Sequence, residues 1–114
     1  FDARFSRSLG TCYKDLGELK SAIKCFTRAL QVNDDPDEGS RLRRAIADLH
    51  ETCARGATTE SDRRFHLSSA AKMYQQLLAE TSSSQDALTK SQRQHWQMFV
   101  TRYHQQNQME HSEE

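Results

Sequence analysis

Proline is nearly absent from this chain, with Pro36 the single example among 114 residues, and glycine is scarce, with four. Because these two residues are the strongest helix breakers, few positions interrupt helix formation. The alternating β-branched runs that predict strands are also missing. No apolar run approaches the roughly 20 residues of a membrane-spanning helix. The sequence therefore predicts an all-α protein and gives no sign of a membrane partner.

An excess of one charge sign is also missing, since 16 basic residues balance 16 acidic ones. Without a net field to attract nucleic acid or a membrane surface, any electrostatic preference must be local. The three cysteines, Cys12, Cys25 and Cys53, are an odd number and sit in helical patterns. We therefore expect buried thiols in a reducing, intracellular compartment, cytoplasmic or nuclear. Because the chain does not begin with methionine, we expect it to be a domain of a longer protein.

Start and stop signals divide the chain into about five helices. Asp35 before Pro36 is the clearest start, because aspartate caps a helix and proline has no amide hydrogen to lose at its first position. Gly17 and Gly56 are stop signals. The expected helices run from about Asp2 to Leu16, Glu18 to Val32, Pro36 to Arg55, Thr59 to Glu80, and Ser83 or Ser84 to Gln106. Residues 1–107 are expected to form one domain, and 108–114 a polar, acidic and disordered tail.

The apolar positions recur at helical spacing and predict the inward faces. They are Phe5, Leu9, Cys12, Tyr13 and Leu16 in the first helix, Leu42, Ile46, Leu49 and Cys53 in the third, and Trp96, Phe99, Val100 and Tyr103 in the fifth. The first helix matches the third at a shift of 37 residues, whereas the second matches the fourth at a shift of 48. The second pair therefore contains 11 extra residues. They form a loop or about three helical turns, and their length favours added helix.

The first helix pair resembles a tetratricopeptide repeat. The residues that carry the resemblance are Leu9-Gly10 with Tyr13, followed by Ala22, Phe26 and Ala29. It departs from the family pattern at Ser6, where tryptophan is usual, and at Pro36, two positions late. The resemblance implies antiparallel helix-turn-helix repeats stacked as an α-α superhelix, here two repeats and a closing helix. It also implies a scaffold that binds other proteins.

Catalytic and metal-binding patterns are not evident. Cys12 and Cys53 lie on predicted apolar faces, which favours core thiols over nucleophiles. The five histidines have no zinc-ligand spacing, and no glycine-rich phosphate loop occurs. His50 takes the tyrosine position of the second repeat, so we expect it to be half buried, and we expect the other histidines at the surface or an interface. We therefore predict no enzyme activity, metal, cofactor or small-molecule substrate.

The resemblance further implies that the first helix of each repeat lines a concave groove. The implied ligand-facing residues are Arg4, Arg7, Thr11 and Lys14 in the first repeat, and Arg41, Arg44, Asp48 and Glu51 in the second. Such a groove is basic near the helix starts and acidic deeper in the second repeat, which suits an acidic peptide or helix of another protein. Arg7 fits the clamp that family members use for chaperone C-termini, but Thr11 and Asp48 do not. The same stripe of charges is equally compatible with a face that only contacts water.

Two alternatives remain open from the sequence. The first is a structural or oligomerisation segment of a larger helical-repeat protein, with a possible dimer, because two repeats are fewer than the three or so usually needed for stability. The second is a nucleic-acid contact through the arginines at positions 41, 43, 44, 63 and 64. The zero net charge and the lack of aromatic residues between these arginines argue against it.

Overall fold

The structure, a computed structural model, describes residues 3–81 and 87–112, and these ranges contain five helices and no strand. The helices are α1 (Ala3–Asp15), α2 (Leu19–Val32), α3 (Pro36–Arg55), α4 (Glu60–Glu80) and α5 (Ala87–Ser112). The predicted all-α class is therefore confirmed. In these two ranges no helix is both long enough and apolar enough to cross a membrane.

The helix boundaries follow the local signals in the sequence. The Asp35 carboxylate accepts a hydrogen bond from the Asp37 amide at 3.1 Å, and the Thr59 hydroxyl accepts one from the Asp62 amide at 3.1 Å. Each bond satisfies an amide that the first turn of a helix leaves without a partner. Gly17 has φ of 83°, the left-handed conformation that ends α1.

Two predicted helix starts, Asp2 and Ser83 or Ser84, lie outside the described residues. At the other end of the chain, α5 continues to Ser112, six residues beyond the predicted end at Gln106. The division between residues 1–107 and 108–114 stays a prediction.

The 11 extra residues of the second helix pair are mostly helical. Compared with α1 and α2, the helix α4 begins seven residues earlier, α3 ends three residues later, and the connecting loop gains one residue. As a result α3 and α4 have 20 and 21 residues, against 13 and 14 in α1 and α2. The longer pair therefore projects beyond the turn between α1 and α2.

Two apolar clusters hold the helices together. The first joins α2 to α3, and its buried residues are Ala22, Phe26, Ala29, Leu42, Ile46 and Leu49. The second joins α3, α4 and α5, and its buried residues are Ala47, Ala70, Tyr74, Leu77, Trp96 and Val100. Ala22, Phe26 and Ala29, which carry the resemblance to the repeat, are all buried in the first cluster. α5 packs on α4 through Trp96 and Val100, as expected for a helix that closes the stack.

The predicted apolar face of α1 is wrong in most of its positions. Phe5, Leu9 and Leu16 are 53%, 38% and 76% exposed, and the Cys12 thiol is exposed rather than buried. Of the predicted face, Tyr13 packs against the first cluster. Beside it α1 approaches α2 at a small residue, since a β-carbon at Gly10 would stand only 3.2 Å from the Phe26 ring. Close approach at a small residue, rather than contact through Leu9, fixes the packing of this pair.

We expect Phe26→Ala to destabilise the fold by about 3 to 5 kcal/mol, because it removes a ring that is 5% exposed from the first cluster. Leu16→Ala, at a position 76% exposed, should change the free energy of unfolding by no more than about 0.5 kcal/mol. Urea unfolding followed by circular dichroism measures both. Equal losses for the two variants would contradict this packing.

Candidate functional site

The odd-numbered helices are connected by polar contacts along one face of the molecule. Arg7 of α1 donates to the Glu38 carboxylate of α3 at 2.6 Å, and His95 of α5 lies 3.0 Å from the Glu51 carboxylate of α3. We call this surface of α1, α3 and α5 the groove face. Helical spacing puts Arg4, Thr11 and Lys14 on the same side of α1 as Arg7, so the predicted ligand-facing residues of α1 belong to this face.

Glu38 shapes the basic end of the groove face, and the sequence analysis did not include it in the site. Its carboxylate pairs with Arg7 at 2.6 Å and with Arg41 at 3.5 Å, and its side chain is only 16% exposed. Glu38 stands in the first turn of α3, where the helix dipole alone is enough to explain an acid. The sequence therefore contains no separate signal that Glu38 also pairs with Arg7 and Arg41. Two of the predicted cations therefore already share one carboxylate.

The remaining cations of the basic end are less engaged. With the Gln92 amide turned so that its oxygen faces Arg44, that oxygen accepts from the guanidinium at 3.0 Å, so Arg44 has a neutral partner. Within residues 3–81 and 87–112, Arg4 and Lys14 have no ion-pair partner. The Thr11 hydroxyl donates to the Arg7 carbonyl at 3.1 Å and is thus directed along its own helix.

At the acidic end, a buried tyrosine holds two carboxylates. The Tyr74 hydroxyl lies 2.8 Å from the Asp48 carboxylate and 3.2 Å from that of Glu51, and the Tyr74 side chain is 0% exposed. Burial, followed by these two negative charges, raises the pKa of Tyr74 far above its usual value, so its hydroxyl stays a donor. Glu51 also pairs with Arg55 at 3.4 Å. Both acids of the predicted groove are therefore fixed from inside the fold.

A second polar cluster lies between α3 and α4. His50 and His66 are 7% and 5% exposed, and their Nδ1 atoms are 2.9 Å apart. One ring must donate and the other accept, so at least one is neutral. Burial, and then the neighbouring His66, lowers the pKa of His50 to about 4. Burial, and then Lys20, lowers the pKa of His66 against the opposing effect of Asp62.

The histidine predictions are corrected by this cluster. His50 is buried rather than half buried, and His66 is buried rather than at the surface. His66 lies in the seven extra residues at the start of α4, so the comparison between repeats contained no equivalent position for it. Its burial depends on the added turns of α3 and α4 lying side by side, which the sequence does not show.

One cavity of about 380 Å³ brings a cysteine, a histidine and an aspartate together, namely Cys53, His66 and Asp62. Burial raises the pKa of the Cys53 thiol, with Lys20 partly opposing the effect, so the thiol is protonated at neutral pH. This shift is the opposite of the lowered pKa that activates a nucleophilic cysteine. Among the residues that the structure describes, no three potential metal ligands converge on one point.

The arginines considered for nucleic-acid binding are mostly paired with carboxylates. Arg41 pairs with Glu38, Arg43 with Glu80, and Arg63 and Arg64 with Glu60. Hydrogen bonds from Arg63, and then from Arg64, hold the pKa of Glu60 well below its usual range. A phosphate backbone would have to displace these carboxylates, which argues against this alternative.

In the pair α1 and α2, Gly10 lies against the Phe26 ring and Gly17 ends α1 in the left-handed conformation, as the packing and turn glycines of the repeat pattern predict. Residues 6–36 match the family model of the tetratricopeptide repeat. The match includes Ser6 and Pro36, the two departures from the pattern, and confirms the resemblance of this pair. No curated protein and no solved structure matches the chain significantly. Tetratricopeptide repeats generally serve as scaffolds for contacts between proteins rather than as enzymes, and the match suggests such a scaffold.

We expect the fold to lose stability as the pH falls from 6.5 towards 4. His50 binds a proton near pH 6.5 when unfolded but only near pH 4 when folded, so the unfolded state takes up more protons in this window. The free energy of unfolding should fall by about 1 kcal/mol between pH 7 and pH 5.5, above the range in which most carboxylates titrate. Urea unfolding at each pH measures it.

The variant His50→Gln should lose most of this pH dependence. His104→Gln, which removes an exposed imidazole that contacts Gln75, should retain it. A free energy of unfolding that is constant or rises as the pH falls from 7 to 5.5 would contradict the neutral histidine pair.

Proposed function

We propose that this chain is a non-catalytic protein-binding module whose groove face binds an acidic peptide or helical segment of another protein. The observation that carries the proposal is the unequal engagement of charges on this face. Its acids have partners within the fold, whereas Arg4, Lys14 and Arg44 have no carboxylate partner among the described residues. A carboxylate of a ligand could therefore bind these cations without breaking an ion pair of the described fold.

The distribution of charge also supports one direction for the ligand. The uncompensated cations lie on α1 and on the first half of α3, and the carboxylates of Asp48 and Glu51 lie further along α3. A peptide with its acids over Arg4 and Arg44 would place neutral or basic residues near Asp48. A terminal carboxylate near Asp48 would be repelled, which disfavours a chaperone-tail ligand.

A selection of random peptides displayed on phage tests this proposal. We expect the selected peptides to be enriched in aspartate and glutamate, and to bind Arg4→Glu/Arg44→Glu at least about tenfold more weakly, since two attractive contacts become repulsive. Binding should also weaken as salt is raised, because exposed charges are screened. These two arginines are chosen because reversing them breaks no ion pair of the described fold.

The matched control is Lys72→Glu/Lys90→Glu, which reverses two exposed cations of α4 and α5. It should retain the affinity for the selected peptides, and circular dichroism should show the same helicity for all three proteins. Selected peptides without acidic enrichment, or with the same affinity for both double variants, would overturn the proposed groove.

The alternative, a structural segment that packs on another helix or on a second copy, is favoured by one observation. Phe5, Leu9 and Leu16 of α1 are exposed, and Phe5 and Leu9 line a cavity of about 250 Å³ with Cys25 of α2. Sedimentation velocity over about a hundredfold range of concentration distinguishes the dimer form of this alternative, because association follows mass action. A constant monomeric coefficient would exclude a homodimer in that range.

A further inference from the structure

The extra turns of α3 and α4 create a cleft that the shorter first pair does not have. It lies between α2 and the start of α4, on the side where Lys20 of α2 faces Asp62 of α4 at 3.9 Å. We call it the overhang cleft, because residues 60–66 of α4, which have no counterpart in α2, form one of its walls. Its volume is about 370 Å³, within the roughly 300–1,000 Å³ of typical ligand sites.

The walls of the overhang cleft are apolar and aromatic. Ile23 of α2 and Phe65 of α4 line the cleft together with the imidazoles of His50 and His66. The Phe65 ring centroid is 5.9 Å from that of His50 and 5.1 Å from that of His66, so the three rings form one surface. Because the pKa values of both histidines are lowered, the two imidazoles that line the cleft carry no charge at neutral pH.

Phe65 itself is 61% exposed despite these contacts. It lies in the added turns of α4, lines the cleft and leaves more than half of its surface open to solvent. A large exposed ring beside an apolar recess is an arrangement that stabilises an incoming apolar side chain by removing both surfaces from water.

The rim of the overhang cleft is cationic. Lys20 and Lys24 of α2 are both exposed, and Lys20 is 3.9 Å from Asp62, a long contact between side chains that are 72% and 50% exposed. Lys24 has no ion-pair partner within the described residues. The charge at the rim therefore complements an acidic segment, and it disfavours a cation in the recess below.

We propose that the overhang cleft is a second protein-binding site, which accepts one aromatic or branched aliphatic side chain from an acidic segment of a partner. The apolar side chain packs against Ile23 and Phe65, and neighbouring carboxylates of the partner pair with Lys20 and Lys24. This site belongs to the layer of α2 and α4 and is independent of the groove face.

Two-dimensional ¹H–¹⁵N NMR titration with synthetic peptides tests the site. The probe is the blocked heptapeptide Ser-Glu-Glu-Phe-Glu-Glu-Ser, and its counterpart has alanine in place of phenylalanine. We expect the first peptide to shift the amide signals of residues 20–27 and 62–66, and the second to bind about tenfold or more weakly, as expected when one buried apolar side chain is lost.

Three variants separate the two binding surfaces. Phe65→Ala and Lys20→Gln/Lys24→Gln should each weaken binding of the phenylalanine peptide about tenfold, since they remove the apolar wall or the rim charges. Both change exposed side chains, so helicity should be unchanged. Arg4→Gln/Arg44→Gln, which removes two charges from the groove face, should leave the shifts of residues 20–27 and 62–66 as they are.

Three results would overturn the overhang cleft as a binding site. The first is no shift at residues 20–27 and 62–66 at about 2 mM peptide, a concentration at which even weak complexes are populated. The second is equal affinity for the phenylalanine and alanine peptides. The third is unchanged affinity for the phenylalanine peptide in Phe65→Ala. If the shifts move to α1 and α3 and disappear in Arg4→Gln/Arg44→Gln, the overhang cleft fails while the groove proposal survives.

Discussion

The hydroxyl of Tyr74 is the contact on which the arrangement of the second half of the chain depends. Its ring is fully buried and stacks on Trp96 of α5 at 6.0 Å between centroids, while its hydroxyl reaches Asp48 and Glu51 of α3. One side chain of α4 therefore fixes both of its neighbouring helices. Since a buried hydroxyl without a partner is costly, the carboxylates and the ring position constrain each other.

Tyr74 occupies the position that corresponds to Phe26 in the first pair, and the single added oxygen explains a functional difference between the pairs. Phe26 packs under Gly10 and has no polar atom with which to reach α1. Tyr74 fixes two acids on the groove face, so only the second repeat has an acidic end with restricted side chains. The acids at one end of the groove face are thus held in place by a residue of the core.

Features of the fold that are determined by neighbouring residues could be predicted from the sequence, and features that depend on contacts between helices could not. Caps such as Asp35 and Thr59 and the stop at Gly17 are determined within a few residues, so the boundaries at these three positions could be predicted. The end of α5 carries no such signal and was predicted six residues too early. The burial of α1 was not, because helical spacing identifies an apolar face but not whether a neighbour covers it. Leu9 fits the repeat pattern and is exposed, whereas Gly10 beside it makes the contact.

The candidate sites show the same limit. Spacing alone predicts that Arg4 and Arg7 share one face of α1, and the family resemblance implies that this face lines a groove. The place of Glu38 beside them could not be predicted, since its contact with Arg7 spans 31 residues. The cleft beside Phe65 was also missed. The length of the insertion was visible in the sequence, but the pairing of its two helical extensions, which buries His66 against His50, is a property of the packed helices.

Zero net charge is consistent with local groups of cations, at the basic end of the groove face and beside the overhang cleft, because most acids near them have partners and several bases do not. Several carboxylates pair with cations of the chain itself, as Glu60 does with Arg63 and Glu80 with Arg43. Others stand at helix starts, where they satisfy amides or oppose the helix dipole. Cations such as Arg44 and Lys24 are left facing solvent. At physiological ionic strength, screening over about 8 Å means that a partner in contact experiences these local cations and not the balanced total. Selectivity for acidic segments would therefore arise after encounter, through slower dissociation, rather than through long-range electrostatic steering.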